Sequence, residues 1–119
     1  IQTFSVILVW AVLQTSLSEE IMFRGFLCKR FCKKFGEKIG NIVQALIFGV
    51  VHIAALPDKN ILAMLIVVLL TGGIGYALGW LSLKKVQGSI LYGWAIHATV
   101  NILSPIMVFT FLLPNYMPR

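Results

Sequence analysis

Hydrophobic residues fill this chain in four long runs, and the charged residues fall almost entirely between them. Residues 1–18, 39–57, 61–83 and 86–118 contain no Asp, Glu, Lys or Arg. About 20 predominantly apolar residues suffice to cross a bilayer as a helix. Runs of this length predict membrane helices, not the half-polar helices of a soluble domain.

The first run opens with lipid-compatible residues, Phe4, Val6, Ile7, Leu8, Val9 and Trp10, and turns polar at Gln14, Thr15, Ser16 and Ser18. Glu19 and Glu20 follow, and Arg24 comes one helical turn after Glu20. A polar stripe facing the interior of a bundle accounts for that order. Beyond Arg24, Phe26, Leu27, Phe31 and Phe35 interleave with Lys29, Arg30, Lys33 and Lys34. This reads as an amphipathic continuation along the membrane interface. Gly36 breaks it, with a helix restart near Lys38 or Ile39.

The second segment, residues 39–56, stops at Pro57-Asp58, and Asp58 or Asn60 can cap the next helix. The short connection predicts that segments two and three are antiparallel neighbours. The third segment, 61–83, carries Gly72, Gly73, Gly75 and Gly79. Small residues on one face allow close helix approach in lipid, so these predict a packing seam. No Walker lysine pattern follows them, which argues against a phosphate loop. The fourth segment runs from Gly88 to about Leu113, with a kink expected at Pro105 and a stop at Leu113-Pro114. The expected fold is an all-α polytopic transmembrane bundle of about four membrane helices plus an amphipathic interfacial stretch.

Composition strengthens that picture. Of 119 residues, 59% are hydrophobic and 12% charged, with a mean hydropathy of +0.91. A soluble domain this small buries too little of its surface to hide so much apolar side chain. The chain opens at Ile1 inside an apolar run with no basic stretch ahead, unlike a signal peptide. It reads as a single membrane-embedded core, residues 1–119, of a longer multi-helix protein.

The net charge of +6 raises nucleic acid as a partner, but the basic residues cluster at hydrophobic boundaries. There they meet lipid headgroups and set topology, so membrane lipid is the expected partner and nucleic acid is not. One side holds Lys29, Arg30, Lys33, Lys34, Lys38, Lys84 and Lys85, and the other holds Lys59 and Arg119. The positive-inside rule makes the richer side cytosolic. Cys28 and Cys32 share a helical face and read as ordinary thiols near that surface, ahead of a zinc half-site or a palmitoylation point.

The chemistry lies in residues that membrane helices carry only for a reason. At 1.5 Å rise per residue, Glu19 lies about 15 Å from Lys29 along its helix. By the same rise, His52 lies about 21 Å from Lys38 and His97 about 18 Å from Lys85. Three helices therefore place ionisable groups at compatible depths. Glu20 and Arg24 are an i,i+4 pair, which makes Glu20 the structural carboxylate and leaves Glu19, about 100° around the helix, to face water. Glu19 with His52 can hold a water and take its proton. His97 and Asn101, also i,i+4, can donate to a developing oxyanion. Glu19 or Glu20 with His52 and His97 is alternatively an N2O set suited to zinc with one position open. An ion path in a non-catalytic immunity or transport protein is the rival class, although no paired repeats are visible.

Glu19-Glu20-Ile-Met-Phe-Arg24 resembles the EExxxR motif of the CAAX-protease and bacteriocin-processing family. This CPBP or Abi family includes the Rce1-type prenyl-protein endopeptidases. Phe48-Gly-Val-Val-His52 is similar to its FxxxH motif, and His97-Ala-Thr-Val-Asn101 to its HxxxN/D motif, in the same order on separate segments. The resemblance implies an intramembrane endopeptidase acting on a peptide or prenylated-protein substrate. It implies that Glu19 and His52 activate water, His97 and Asn101 form the oxyanion site, and Glu20, Arg24 and Phe48 support them. A metal-free mechanism is the expectation, with zinc on Glu19, His52 and His97 as the alternative.

Overall fold

The computed structural model describes residues 2–107, and within them the chain is helix and short connecting loop. The expected stop at Leu113-Pro114 and the side assigned to Arg119 lie outside the described residues. Helix α1 runs unbroken over residues 2–35 and passes through π-helical turns at Trp10–Leu17 and Ile21–Cys28. Helix α2 spans Glu37–Val51 and tightens into a 3-10 turn at His52–Ala55. Helices α3, Ile61–Lys84, and α4, Leu91–Met107, complete the bundle.

Three of these are long and apolar enough to cross a membrane: Ser5–Phe35, Glu37–Ala55 and Ile61–Lys84. The described part of α4 is 17 residues long. Helix α3 is apolar all round, and Leu62, Leu65, Leu69 and Leu70 stand exposed, Leu69 at 73%. Soluble monomers rarely leave such a surface open, and lipid is its natural solvent. The described residues form an all-α bundle of four helices, three of them long and apolar enough to span a membrane, as in an integral membrane protein.

Element boundaries differ from the sequence expectation in ways that have local causes. The α1–α2 break costs one residue, because Gly36 at φ +85° absorbs the whole change of direction. Helix α2 therefore restarts at Glu37 instead of Lys38 or Ile39. Gly40 lets the two helices close on each other, since a Cβ there would sit 2.6 Å from the Cys32 Cα. Helix α4 starts at Leu91 rather than Gly88. Gln87 at φ +53° and Gly88 at φ +81° instead close α3, and the Gly88 N–H donates to the Ser82 carbonyl at 2.6 Å. The amphipathic stretch continues α1 to Phe35, as its pattern predicts. Asn60 is the residue that caps α3, its side chain accepting from the Ala63 N–H at 2.8 Å.

Helix α1 lies between α4 and α2, and α3 packs along α2. The expected glycine seam is the α2–α3 interface. A Cβ at Gly49 would meet the Gly72 backbone at 3.3 Å, one at Gly75 the Phe48 ring at 2.9 Å, and one at Gly79 the Gln44 amide at 2.7 Å. Partners fall along α2 as they rise along α3, so the pair is antiparallel. Two polar residues lock it: Asn41 Nδ2 donates to the Tyr76 carbonyl at 3.0 Å, and Gln44 Nε2 donates to the Gly75 carbonyl at 2.9 Å.

The cytosolic-side expectation groups the loop after α1 with the end of α3. The fold places these together, since Glu37 and Lys84 form an ion pair and Lys29 lies along the Gly88 backbone.

Candidate active site

Glu20 and Arg24 form the buried base of the site. Both side chains are 0% exposed, and Glu20 Oε1 lies 3.0 Å from the Arg24 Nη1. Removing two charges from water is costly unless each finds the other. Arg24 has a second partner of a different kind, the face of Phe48, with Cζ 4.3 Å from the ring centroid. Cation–π contact of this sort gains strength when desolvated. Gly75 leaves the space for both groups, because its Cβ would lie 2.9 Å from Phe48 and 3.4 Å from the Arg24 Nη2.

Phe48 is the hub of the site. It is 2% exposed and packs edge-on to Phe23 at 4.9 Å. The His52 ring lies 4.4 Å away and the His97 ring 5.7 Å away. One aromatic ring thus sets the arginine and two imidazoles relative to one another. The FxxxH spacing achieves this through a helix, where residues four apart share a face.

Glu20 does more than neutralise Arg24. Its Oε1 also accepts from His97 Nδ1 at 3.0 Å. That bond fixes the ring and directs Nε2 toward Glu19, whose Oε2 lies 3.4 Å away. His52 is oriented in the same manner from a backbone partner. Its Nδ1 donates to the Phe48 carbonyl at 2.7 Å, and its Nε2 faces Glu19 Oε2 at 3.8 Å. One oxygen of Glu19 is therefore flanked by imidazoles from α2 and α4. The Glu19 side chain is 30% exposed and that of His52 26%, against 5% for His97. Glu20 is enclosed, whereas Glu19 is partly exposed with its Oε2 buried between the two imidazoles.

Asn101 lies on α4 one turn beyond His97. Its Nδ2 donates to the hydroxyls of Ser16 at 3.1 Å and Thr15 at 3.3 Å. Those hydroxyls donate in turn to the Ala11 carbonyl at 2.6 Å and 2.9 Å. The neighbouring Val12 carbonyl accepts from the Trp94 indole at 2.8 Å. These carbonyls belong to the first π-helical turn, a feature often found at functional sites. The polar stripe of α1 is narrower than its sequence suggests. Thr15 and Ser16 face α4, while Gln14 and Ser18 face outward.

Gly93, which the motifs do not mark, makes room for the Glu20 carboxylate. A Cβ there would lie 2.8 Å from Glu20 Oε2. No motif marks Asn41 and Gln44 either, although two amides three residues apart in an apolar helix are a usable signal of a buried contact. Among the described residues, no group of three or more His, Cys, Asp or Glu side chains is arranged to hold a metal ion. Cys28 and Cys32 are free thiols 3.7 Å apart.

The family model described as Type II CAAX prenyl endopeptidase Rce1-like matches residues 1–103, a span that contains every residue of this site. No curated protein and no solved structure matches the chain.

Proposed function

The chain belongs to the family described as type II CAAX prenyl endopeptidase, Rce1-like, and on that premise we propose that it is an intramembrane endopeptidase. Glu19 is the general base. A water hydrogen-bonded at about 2.8 Å to both Glu19 and the His52 Nε2, at a tetrahedral angle, needs those atoms about 4.6 Å apart. They are 3.8 Å apart, so the side chains open by less than about an ångström to admit it. Glu19 takes one proton as the water oxygen attacks the scissile carbonyl, and later returns that proton to the leaving amine. His52 accepts the other hydrogen and aims the water.

His97 stands across from His52 and meets the carbonyl oxygen as an imidazolium, its Nδ1–H held by Glu20 and its Nε2–H donated to the oxygen. Asn101 joins it when the substrate oxygen replaces the longer of its two contacts, the one to Thr15. Donors placed where charge develops commonly contribute about 100- to 1,000-fold in rate. Glu20 and Arg24 are positioning residues in this scheme, holding His97 from behind. All steps use side chains of the chain itself.

The observation that carries the reading is the approach of one buried oxygen of a partly exposed carboxylate, Glu19 Oε2, to two imidazoles on separate helices. The substrate is a peptide or prenylated protein that reaches the site from the membrane, with the basic loops on the cytosolic side. The test is peptide cleavage by the purified full-length protein, using prenylated and unprenylated peptides ending in Cys and three further residues. Loss of cleavage in His52→Ala supports the scheme, and retained cleavage removes His52 from it. Activity that survives chelation in enzyme shown to be metal-free supports the mechanism as written. Activity lost on chelation and restored by zinc replaces it with a metal mechanism on Glu19, His52 and His97.

A further inference from the structure

A groove of about 660 Å³ runs along the cytosolic end of α1, lined on its uncharged side by Gly25, Phe26 and Phe31. Lys29, Arg30, Lys33 and Lys34 edge it, all four exposed. The chain has four acids, and none of them neutralises this edge. Glu19 and Glu20 are in the site, Glu37 is paired with Lys84, and Asp58 lies in the loop between α2 and α3. The four cations therefore present uncompensated charge to whatever fills the groove.

We propose that this groove binds the phosphate headgroup of an anionic phospholipid. Depth favours a lipid as the source of the phosphate. Lys29 is ten residues beyond Glu19, about 15 Å along the helix and about half of a 30 Å hydrocarbon core. With Glu19 near the midplane, Lys29 reaches the headgroup boundary. The flanking side chains suit acyl chains, for Phe26 is 50% and Phe35 46% exposed. The Arg30 guanidinium lies 4.9 Å from the Phe26 centroid, so cation and apolar wall meet at one point. Basic clusters on the cytosolic side of membrane helices commonly attract anionic lipid.

The site also joins two parts of the fold. Lys29 lies along Gly88, whose Cβ would be 3.6 Å from Lys29 Cε, and a Cβ at Gly25 would be 3.9 Å from Ile90. A headgroup held by Lys29 therefore ties α1 to the loop that leads into α4 and His97.

The experiment measures binding, independently of any peptidase activity. The full-length protein in detergent is titrated with phosphatidylglycerol and with phosphatidylcholine, and bound lipid is counted by native mass spectrometry. The expected result is a clear preference for phosphatidylglycerol that Arg30→Gln/Lys33→Gln weakens about thirty-fold. That figure takes about 1 kcal/mol per basic residue and about 1.4 kcal/mol per tenfold. Lys38→Gln/Lys59→Gln removes the same charge elsewhere and should leave binding within about twofold. Arg30→Lys/Lys33→Arg keeps the charge and should retain the preference. Equal binding of the two lipids overturns the proposal, as does an equal loss in the Lys38/Lys59 control. Displacement by soluble glycerol phosphate at the same concentration as the lipid would reassign the groove to a free anion and overturn it as well.

Discussion

Replacing Gly93 with alanine adds one methyl group beside the Glu20 carboxylate. The new Cβ would stand 2.8 Å from Oε2, and an ordinary contact begins near 3.4 Å, so the carboxylate must move by about 0.6 Å. That motion has few free directions, because Oε1 is held by Arg24 and His97 at 3.0 Å each. A shift of this size away from His97 takes the hydrogen bond beyond its working range. Hydrogen bonds to charged groups contribute about 1.5–3 kcal/mol. With partial relaxation, Gly93→Ala should destabilise the protein by about 1.5 kcal/mol and lower kcat/KM about tenfold. Thermal unfolding in detergent and peptide cleavage read the two effects. A double-mutant cycle with Glu20→Ala identifies the route: in that background Gly93→Ala should add under about 0.5 kcal/mol, because the carboxylate that the methyl group meets is already gone. Full activity in Gly93→Ala, or additive effects in the cycle, would refute the reasoning. Gly73→Ala is the matched control, since nothing lies within 4 Å of its Cβ position.

Other consequences follow from the packing. Arg24→Met leaves Glu20 buried without its cation and should destabilise by about 3–5 kcal/mol, and a change below about 1 kcal/mol in thermal unfolding would contradict the ion pair's role. Gly79→Ala drives a methyl group into the Asn41 and Gln44 amides and should lower stability by about 2 kcal/mol, the usual scale of overpacking; unchanged stability would refute the seam at that point. Asn101→Ala should reduce kcat about 100-fold with little change in KM if the amide serves the oxyanion. A fall in stability alone would make it only the tie between α4 and the hydroxyls of Ser16 and Thr15.

Much of this arrangement was legible in the chain because membrane helices carry few residues that are not forced on them. Glu19, His52 and His97 could be set at matching depths by counting residues from the basic loops, and the fold brings them to within 3.8 Å. The glycines of α3 likewise announced a seam, though not that Asn41 and Gln44 would fill it with hydrogen bonds to α3 carbonyls. What stayed hidden depends on pairs of helices. Gly93 looks like any glycine of a membrane helix until Glu20 is placed against it. The reach of Glu20 to His97 is invisible from an i,i+4 reading, which sees only Arg24. Phe48 carried a motif position, but its contacts with Arg24 and both imidazoles needed three helices in register. The contacts of Asn101 with Thr15 and Ser16 depend on how α4 meets the π-helical turns of α1, which a 3.6-residue periodicity does not encode.

The central claim is that the two adjacent glutamates do different work. Glu19→Gln and Glu20→Gln keep nearly the same shape, so cleavage and unfolding temperature measured together on the two variants test the claim directly. The Glu19 side chain is partly exposed and its Oε2, though buried, has no hydrogen bond to lose, and Glu19→Gln should unfold near the wild-type temperature while cleavage falls by at least about 100-fold, the contribution expected of a general base. Glu20→Gln should unfold at a clearly lower temperature. Cleavage by Glu19→Gln within tenfold of wild type would contradict the account.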